Sequence, residues 1–110
     1  MIYSVITARA AKHDILGAAQ YIAEKLHNGA AADRLLDEIE KAISSLDENP
    51  KRHPLVRDEH LASLGIRILP VHNYAVFYAV REETQTVIVL RFLYGRRDWS
   101  SILKGDEAKV

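Results

Sequence analysis

Residues 87–99 read VIVLRFLYGRRDW, and this stretch decides the fold of the chain. Its first eight residues are β-branched, aliphatic or aromatic apart from Arg91, a composition typical of a strand inside a sheet. Gly95 ends the strand, and two arginines, an aspartate and a tryptophan follow at once. The sequence therefore predicts a central strand that ends in a polar and aromatic group of residues, 94–99, which we call the terminal cluster.

Alternation along this strand divides its side chains between the two faces of the sheet. Arg91 shares a face with Val87, Val89 and Leu93. We expect the opposite, wholly apolar face to be covered by helices and Arg91 to point to an open face. That apolar set comprises Ile88, Leu90, Phe92 and Tyr94.

The first half of the chain predicts one strand and two amphipathic helices. Residues 3–7 (YSVIT) are typical of a short strand. Apolar residues then recur at helical spacing from residue 8 to 26, and again from 35 to 46. Asn28-Gly29 breaks the pattern, and Asn49-Pro50 ends it. Because the break is so short, the two helices should pack as an antiparallel hairpin against the sheet.

The second half predicts an irregular loop followed by a β-meander. Residues 51–63 form the loop, which carries Lys51, Arg52, Arg57 and two histidines. Residues 65–71, 74–80 and 86–94 read as three strands joined by short turns, a pattern that favours antiparallel pairing. The expected fold is α+β in the order β-α-α-β-β-β, with a four-stranded, mostly antiparallel sheet and an α-helical hairpin on one face. Residues 1–103 should form a single domain, and residues 104–110 a frayed tail.

Composition excludes several classes of protein. The 110 residues carry 15 basic and 15 acidic side chains, whereas a dedicated nucleic-acid binder is usually far more basic. There is no cysteine, so disulfides and thiolate-metal sites are excluded. No run approaches the ~20 apolar residues of a membrane helix. We expect a cytoplasmic protein with no metal and no cofactor, since the histidines show no metal-ligand spacing.

Two arginines inside apolar strands are candidate functional residues. Arg67 and Arg91 are cations held on rigid backbone, which suits recognition of a phosphate or a carboxylate. The alternative is that each pairs with an acidic residue of the chain itself. In the terminal cluster, Asp98 could likewise cap a final turn of helix while Trp99 packs under the core.

These features together resemble the RelE/ParE superfamily, the toxins of type II toxin–antitoxin modules, often called plasmid stabilisation proteins. The resemblance rests on the helical hairpin ending in Asn-Pro and on the strands GIRILPV and YAVFYAV. Its most specific part is VIVLRFLYGRRDWSSIL. It implies the fold derived above and a cognate antitoxin that wraps the toxin with a strand and a helix. A sheet with an open face would accept such a partner.

Within that superfamily, RelE-like members cleave mRNA on the ribosome without a metal, and ParE-like members bind DNA gyrase. The neutral charge and the ending GRRDW favour the ParE-like activity, so we expect a growth-inhibiting toxin that is not an enzyme. The alternatives are a RelE-like endoribonuclease and an inactive relative that only binds its partner. A homodimer or a toxin–antitoxin hetero-oligomer is compatible with each.

The resemblance also implies site residues. Binding of target or antitoxin would use Arg67 and Arg91 from the strands, together with Tyr94, Arg96, Arg97, Asp98 and Trp99 from the terminal cluster. In the endoribonuclease alternative, Arg67, Arg96 and Arg97 would bind the scissile phosphate. Its proton-transfer residue has no obvious occupant, although His53 and His60 are candidates.

Overall fold

The protein folds as a four-stranded mixed sheet with helices on both faces. In a computed structural model, residues 2–108 are described, and the strand order in the sheet is β1-β4-β3-β2. β1 pairs parallel with β4, whereas β4 with β3 and β3 with β2 are antiparallel. The strands are Ser4–Thr7 (β1), Ile66–Val71 (β2), Tyr74–Arg81 (β3) and Thr86–Tyr94 (β4).

Four α-helices surround this sheet. A π-helical turn, Tyr21–Lys25, continues the first helix, and short 3-10 turns follow the second. Asn28 begins the second helix, because its side-chain oxygen accepts a hydrogen bond from the Ala31 amide at 3.0 Å. The helices are Arg9–Gln20 (α1), Gly29–Ser44 (α2), Glu59–Ser63 (α3) and Trp99–Ala108 (α4). The predicted α+β fold with its helical hairpin is confirmed.

The apolar core lies in two layers. The hairpin-side core joins α1 and α2 to one sheet face and includes Leu35, Ile39 and Tyr78. The α4-side core lies on the other face and includes Phe77, Leu93 and Leu103. The face expected to be open is therefore partly covered by α4. Residues 104–108 belong to this helix, although the sequence interpretation placed them in a frayed tail; residues 109 and 110 lie outside the described part.

A β-bulge in β4 changes which of its side chains meet the helical hairpin. Phe77 pairs with Arg91 and Tyr78 with Val89, so Leu90 is the extra residue. Val87 and Val89 lie in the hairpin-side core, and Leu90 packs against the α4-side core. The predictions that Leu90 faces the hairpin and that Val87 and Val89 face the open side are thus wrong. Phe92, beyond the bulge, returns to the hairpin side as predicted, because the extra residue shifts the alternation by one.

Candidate functional site

Gly95 holds the terminal cluster against the turn between β2 and β3. Its amide donates to the Asn73 carbonyl at 2.7 Å, and a Cβ at this position would lie 3.1 Å from the same oxygen. The Arg97 amide then donates to the Tyr94 carbonyl at 3.0 Å and closes a turn. Glycine therefore allows this close approach without a shift of the Asn73 carbonyl, and the turn places Arg96 and Arg97 in solvent.

Asp98 and Trp99 build the start of α4. The Asp98 carboxylate accepts hydrogen bonds from the Ser101 hydroxyl at 2.8 Å and the Ser101 amide at 3.3 Å. These bonds, with a further one from Ser100, hold the pKa of Asp98 below its usual range. The Trp99 ring stacks on Phe77 with centroids 5.4 Å apart. Both residues of the predicted binding set therefore have a scaffold role in this fold, the alternative that the sequence left open.

Arg91 is the centre of a partly buried ion-pair group. Its guanidinium contacts Asp14 of α1 at 2.6 and 2.9 Å and Asp106 of α4 at 3.1 and 3.2 Å. The Asp14 and Asp106 carboxylates raise its pKa against the opposing effect of burial. β1 ends at Thr7, which lies opposite Val89. Farther along β4, the Phe92 amide donates a hydrogen bond to the Asp14 carboxylate at 3.1 Å. Arg91 thus joins the bulge to one helix on each side.

Arg67 holds the loop that follows α2. Its guanidinium donates to the carbonyl oxygens of Lys51 at 3.1 Å and His53 at 2.7 Å. In the β2–β3 register Arg67 lies opposite Tyr78, whereas Tyr94 lies opposite Tyr74. Four residues of strand separate these positions, about 13 Å at the usual rise per residue. Joint binding of one phosphate by Arg67 and Arg96 therefore stays a prediction, and the Arg67 guanidinium is already occupied by the two loop carbonyls.

The two histidines proposed for proton transfer are placed differently. His60 contacts Glu107 of α4 at 2.8 Å. His53 packs edge-on against Tyr78, with ring centroids 6.4 Å apart, and its buried Nε2 has no hydrogen-bond partner among the described residues. Burial, followed by the nearby Arg52 cation, lowers the pKa of His53. His53 is therefore a partly buried, neutral side chain at neutral pH.

This placement predicts a pH-dependent stability. The folded-state pKa of His53 lies below the ~6.5 of an unperturbed histidine, so the unfolded chain binds more protons between the two values. We expect the free energy of unfolding to decrease as pH falls below about 6.5. Urea titrations of the wild type and of His53→Phe at pH 7.5, 6.0 and 5.0 would measure it. The variant should lose part of this dependence, whereas parallel curves would contradict the assignment.

Tyr94 belongs to an aromatic group near the tip of the helical hairpin. The Tyr74 ring stacks on Phe92 at 4.9 Å and meets Tyr94 edge-on at 5.5 Å. Burial raises the pKa of Tyr74, and the neighbouring phenols of Tyr94 and Tyr21 raise it further. Tyr21 and Tyr94 remain 55% and 38% exposed. Tyr74 and Tyr94 therefore meet where the sheet ends, and Tyr21 is near enough to affect the pKa of Tyr74.

Two depressions lie on opposite sides of the sheet. The smaller one, about 290 Å³, borders this aromatic group, and Arg34, His72 and Tyr74 contribute to its lining. The larger groove, about 550 Å³, lies on the α4 side, where α4 leaves part of the sheet face open. Its lining is mainly apolar and includes Leu64, Ile66, Ala79, Leu90 and Leu103, with Arg81, Asp106 and Glu107 among its polar residues.

Sequence reasoning missed several of these residues. Asp14 and Asp106 were not recognised as the partners of Arg91, although Asp14 directly precedes the apolar residue Ile15 of the helix stripe, where a partly buried carboxylate needs a cation. Tyr21 and Arg34 belong to no sequence motif, since only the packing of the hairpin on the sheet brings them near the terminal cluster. Among residues 2–108, no group of three or more potential ligands is arranged for a metal, and no helix is long and apolar enough to span a membrane.

Comparison with known proteins places the chain in a family. Residues 5–99 match the family model described as the ParE toxin of the type II toxin–antitoxin system parDE. No curated protein matches the sequence. Among solved structures, a chain of the chromosomal ParDE system from P. aeruginosa is similar, with a TM-score of 0.69 and 16% identity. The match covers 84% of this chain and 96% of that one.

A chain of the RelBE2 toxin–antitoxin complex from Mycobacterium tuberculosis has the same fold, with a TM-score of 0.56 and 23% identity. The match covers 86% of this chain and 99% of that one. At these identities both structures support the fold, and the family model supports the relationship. The chain belongs to the ParE toxin family of type II toxin–antitoxin systems.

Proposed function

We propose that this toxin acts in the cytoplasm by binding a protein target, DNA gyrase, and that it performs no reaction of its own. The observation that carries the proposal is the placement of the arginines. Arg67 is held by two loop carbonyls, about 13 Å along the sheet from the position of Tyr94, whereas Arg96 and Arg97 are exposed beyond that position. A phosphoryl-transfer site needs several cations on one phosphate, and binding of a protein does not.

We also propose that a cognate antitoxin neutralises the toxin through the groove on the α4 side. The groove offers a mainly apolar lining on a sheet face that α4 only partly covers, which suits the apolar side of a helix or an extended segment. An antitoxin strand that added to β2 would have to pair with the last residues of β2. Residues 54–56 already pair with the first part of its outer edge, and Pro70 lacks an amide.

Induction of the chain in a bacterial host tests the function. We expect growth arrest, relief of the arrest when the neighbouring open reading frame is co-expressed, and loss of supercoiling by purified gyrase when toxin is in excess. Full gyrase activity at excess toxin would contradict the gyrase proposal. New transcript ends in primer-extension mapping would instead identify the RelE-like endoribonuclease, and induction without growth arrest would identify a relative that only binds its partner.

A further inference from the structure

The end of the molecule where the hairpin tip meets the terminal cluster forms one continuous surface. The Gly95 amide binds the Asn73 carbonyl, Asn73 lines the smaller depression together with Arg34 and Tyr74, and the Tyr94 ring contacts Tyr74. Tyr21 reaches the same group from the π-helical turn. We call this the arginine–tyrosine surface; it consists of Tyr21, Arg34, Tyr74, Tyr94, Arg96 and Arg97.

The cations of this surface have no acidic partner within residues 2–108. Arg96 and Arg97 make no side-chain hydrogen bond or ion pair there. Arg34 lies one helical turn before Glu38, the usual spacing of a helix ion pair. Glu38 lines the same depression but instead contacts His72 of the β2–β3 turn. Three guanidiniums thus remain available beside three phenol rings, two of which are exposed.

This combination fits a protein better than a nucleic acid. Tyrosine and arginine are enriched at the energetically dominant positions of protein interfaces. The tyrosine ring and the planar guanidinium each bury a large area on binding and lose little side-chain conformational entropy. A phosphate backbone requires a broad basic surface, whereas this chain has no net charge. Exposed guanidiniums without an acidic neighbour are suited to carboxylates of a partner, with which arginine forms charge-assisted, bidentate hydrogen bonds.

We propose that the arginine–tyrosine surface is the target-binding face of the toxin and that it binds an acidic patch on the target protein, whose carboxylates pair with Arg34, Arg96 and Arg97 around the tyrosines. This inference rests on the proposed function and adds the surface and the chemistry of the partner. It also separates the target face from the antitoxin groove, which lies on the other side of the sheet. The toxin can therefore present two different faces to its two partners.

Charge reversal tests the surface. We expect Arg96→Glu/Arg97→Glu to weaken binding to purified DNA gyrase, measured without DNA, by at least tenfold and to relieve growth arrest. Tyr21→Ala/Tyr94→Ala should do the same without changing the charge. The matched control is Arg9→Glu/Arg57→Glu, two exposed arginines outside the surface and without side-chain partners among the described residues. It should bind and arrest growth as the wild type does. Thermal unfolding should be unchanged in the two charge-reversal variants and somewhat lowered in the tyrosine variant, which loses the contact between the Tyr94 and Tyr74 rings. Antitoxin binding should be unchanged in the two surface variants.

Each outcome of these experiments supports or overturns the inference. Surface variants that bind gyrase and arrest growth as well as the wild type would overturn the inference and leave the proposed function intact, as would an equal loss in the control. If the wild type arrests growth without binding gyrase, gyrase is not the target and that part of the proposed function is wrong. The surface is then supported if its variants relieve the arrest and the control does not, and it is overturned if its variants arrest growth as the wild type does. A wild type that neither binds nor arrests growth overturns the proposed function, and the inference with it. Loss of affinity for a DNA duplex alone would show a phosphate site and overturn the protein-binding assignment.

Discussion

Replacement of Arg91 by alanine should lower the free energy of unfolding by about 3–5 kcal/mol, the range found when one partner of a buried ion pair is removed. The side chains of Arg91 and Asp14 are only 16% and 11% exposed. Without the guanidinium, the Asp14 carboxylate keeps only the Phe92 amide as a partner within the described structure. Urea denaturation followed by the fluorescence of Trp99, the single tryptophan, would measure the change.

Two further variants give this experiment its controls. Arg81→Ala removes an exposed arginine and should change stability by no more than about 0.5 kcal/mol. Asp14→Ala/Arg91→Ala removes both charges, so its loss should be smaller than the sum of the two single losses. If Arg91→Ala unfolds like the wild type yet alters toxicity or antitoxin affinity, Arg91 serves a binding surface, as the resemblance to the toxin superfamily implied.

Replacement of Phe77 by alanine should also cost about 3–5 kcal/mol, the usual loss for a buried phenylalanine. Phe77 is 1% exposed and carries the stacked Trp99 at the start of α4. The cavity would lie between the sheet and α4, a helix in which Leu103 is the fully buried residue of the α4-side core. We therefore expect the amides of Ile102 and Leu103 to exchange much faster, whereas those of Leu35 and Ile39 should change only with the global stability.

Phe77→Leu is the matched variant, because it keeps most of the apolar volume and loses only the ring contact. It should be destabilised less, and α4 should remain protected from exchange. Equal acceleration of exchange in α2 and α4 would contradict a local role of Phe77 and would show that the two core layers unfold as one unit.

The candidate site could be predicted in part. Tyr94, Arg96 and Arg97 followed a strand end and a glycine, and the structure places them at an exposed edge. Their function as binding residues stays a prediction. Tyr21 and Arg34 could not be assigned to the same surface, because they lie 73 and 60 residues before Tyr94 in the sequence and come close to the terminal cluster only when the hairpin packs on the sheet. Arg67 and Arg91 drew attention correctly as unusual strand arginines, but their partners are distant in the sequence.

Local pattern by itself determined the strands, the helical hairpin and the end of β4, because the spacing of apolar residues fixes which secondary structure can bury them. Only the tertiary structure decided the partners of Arg91, since Asp14 and Asp106 lie 77 and 15 residues away along the chain. It also decided the bulge at Leu90, because alternation assumes an uninterrupted ladder and one extra residue exchanges the two faces. The stretch VIVLRFLYGRRDW thus specified a strand and its end, and packing decided what each face meets.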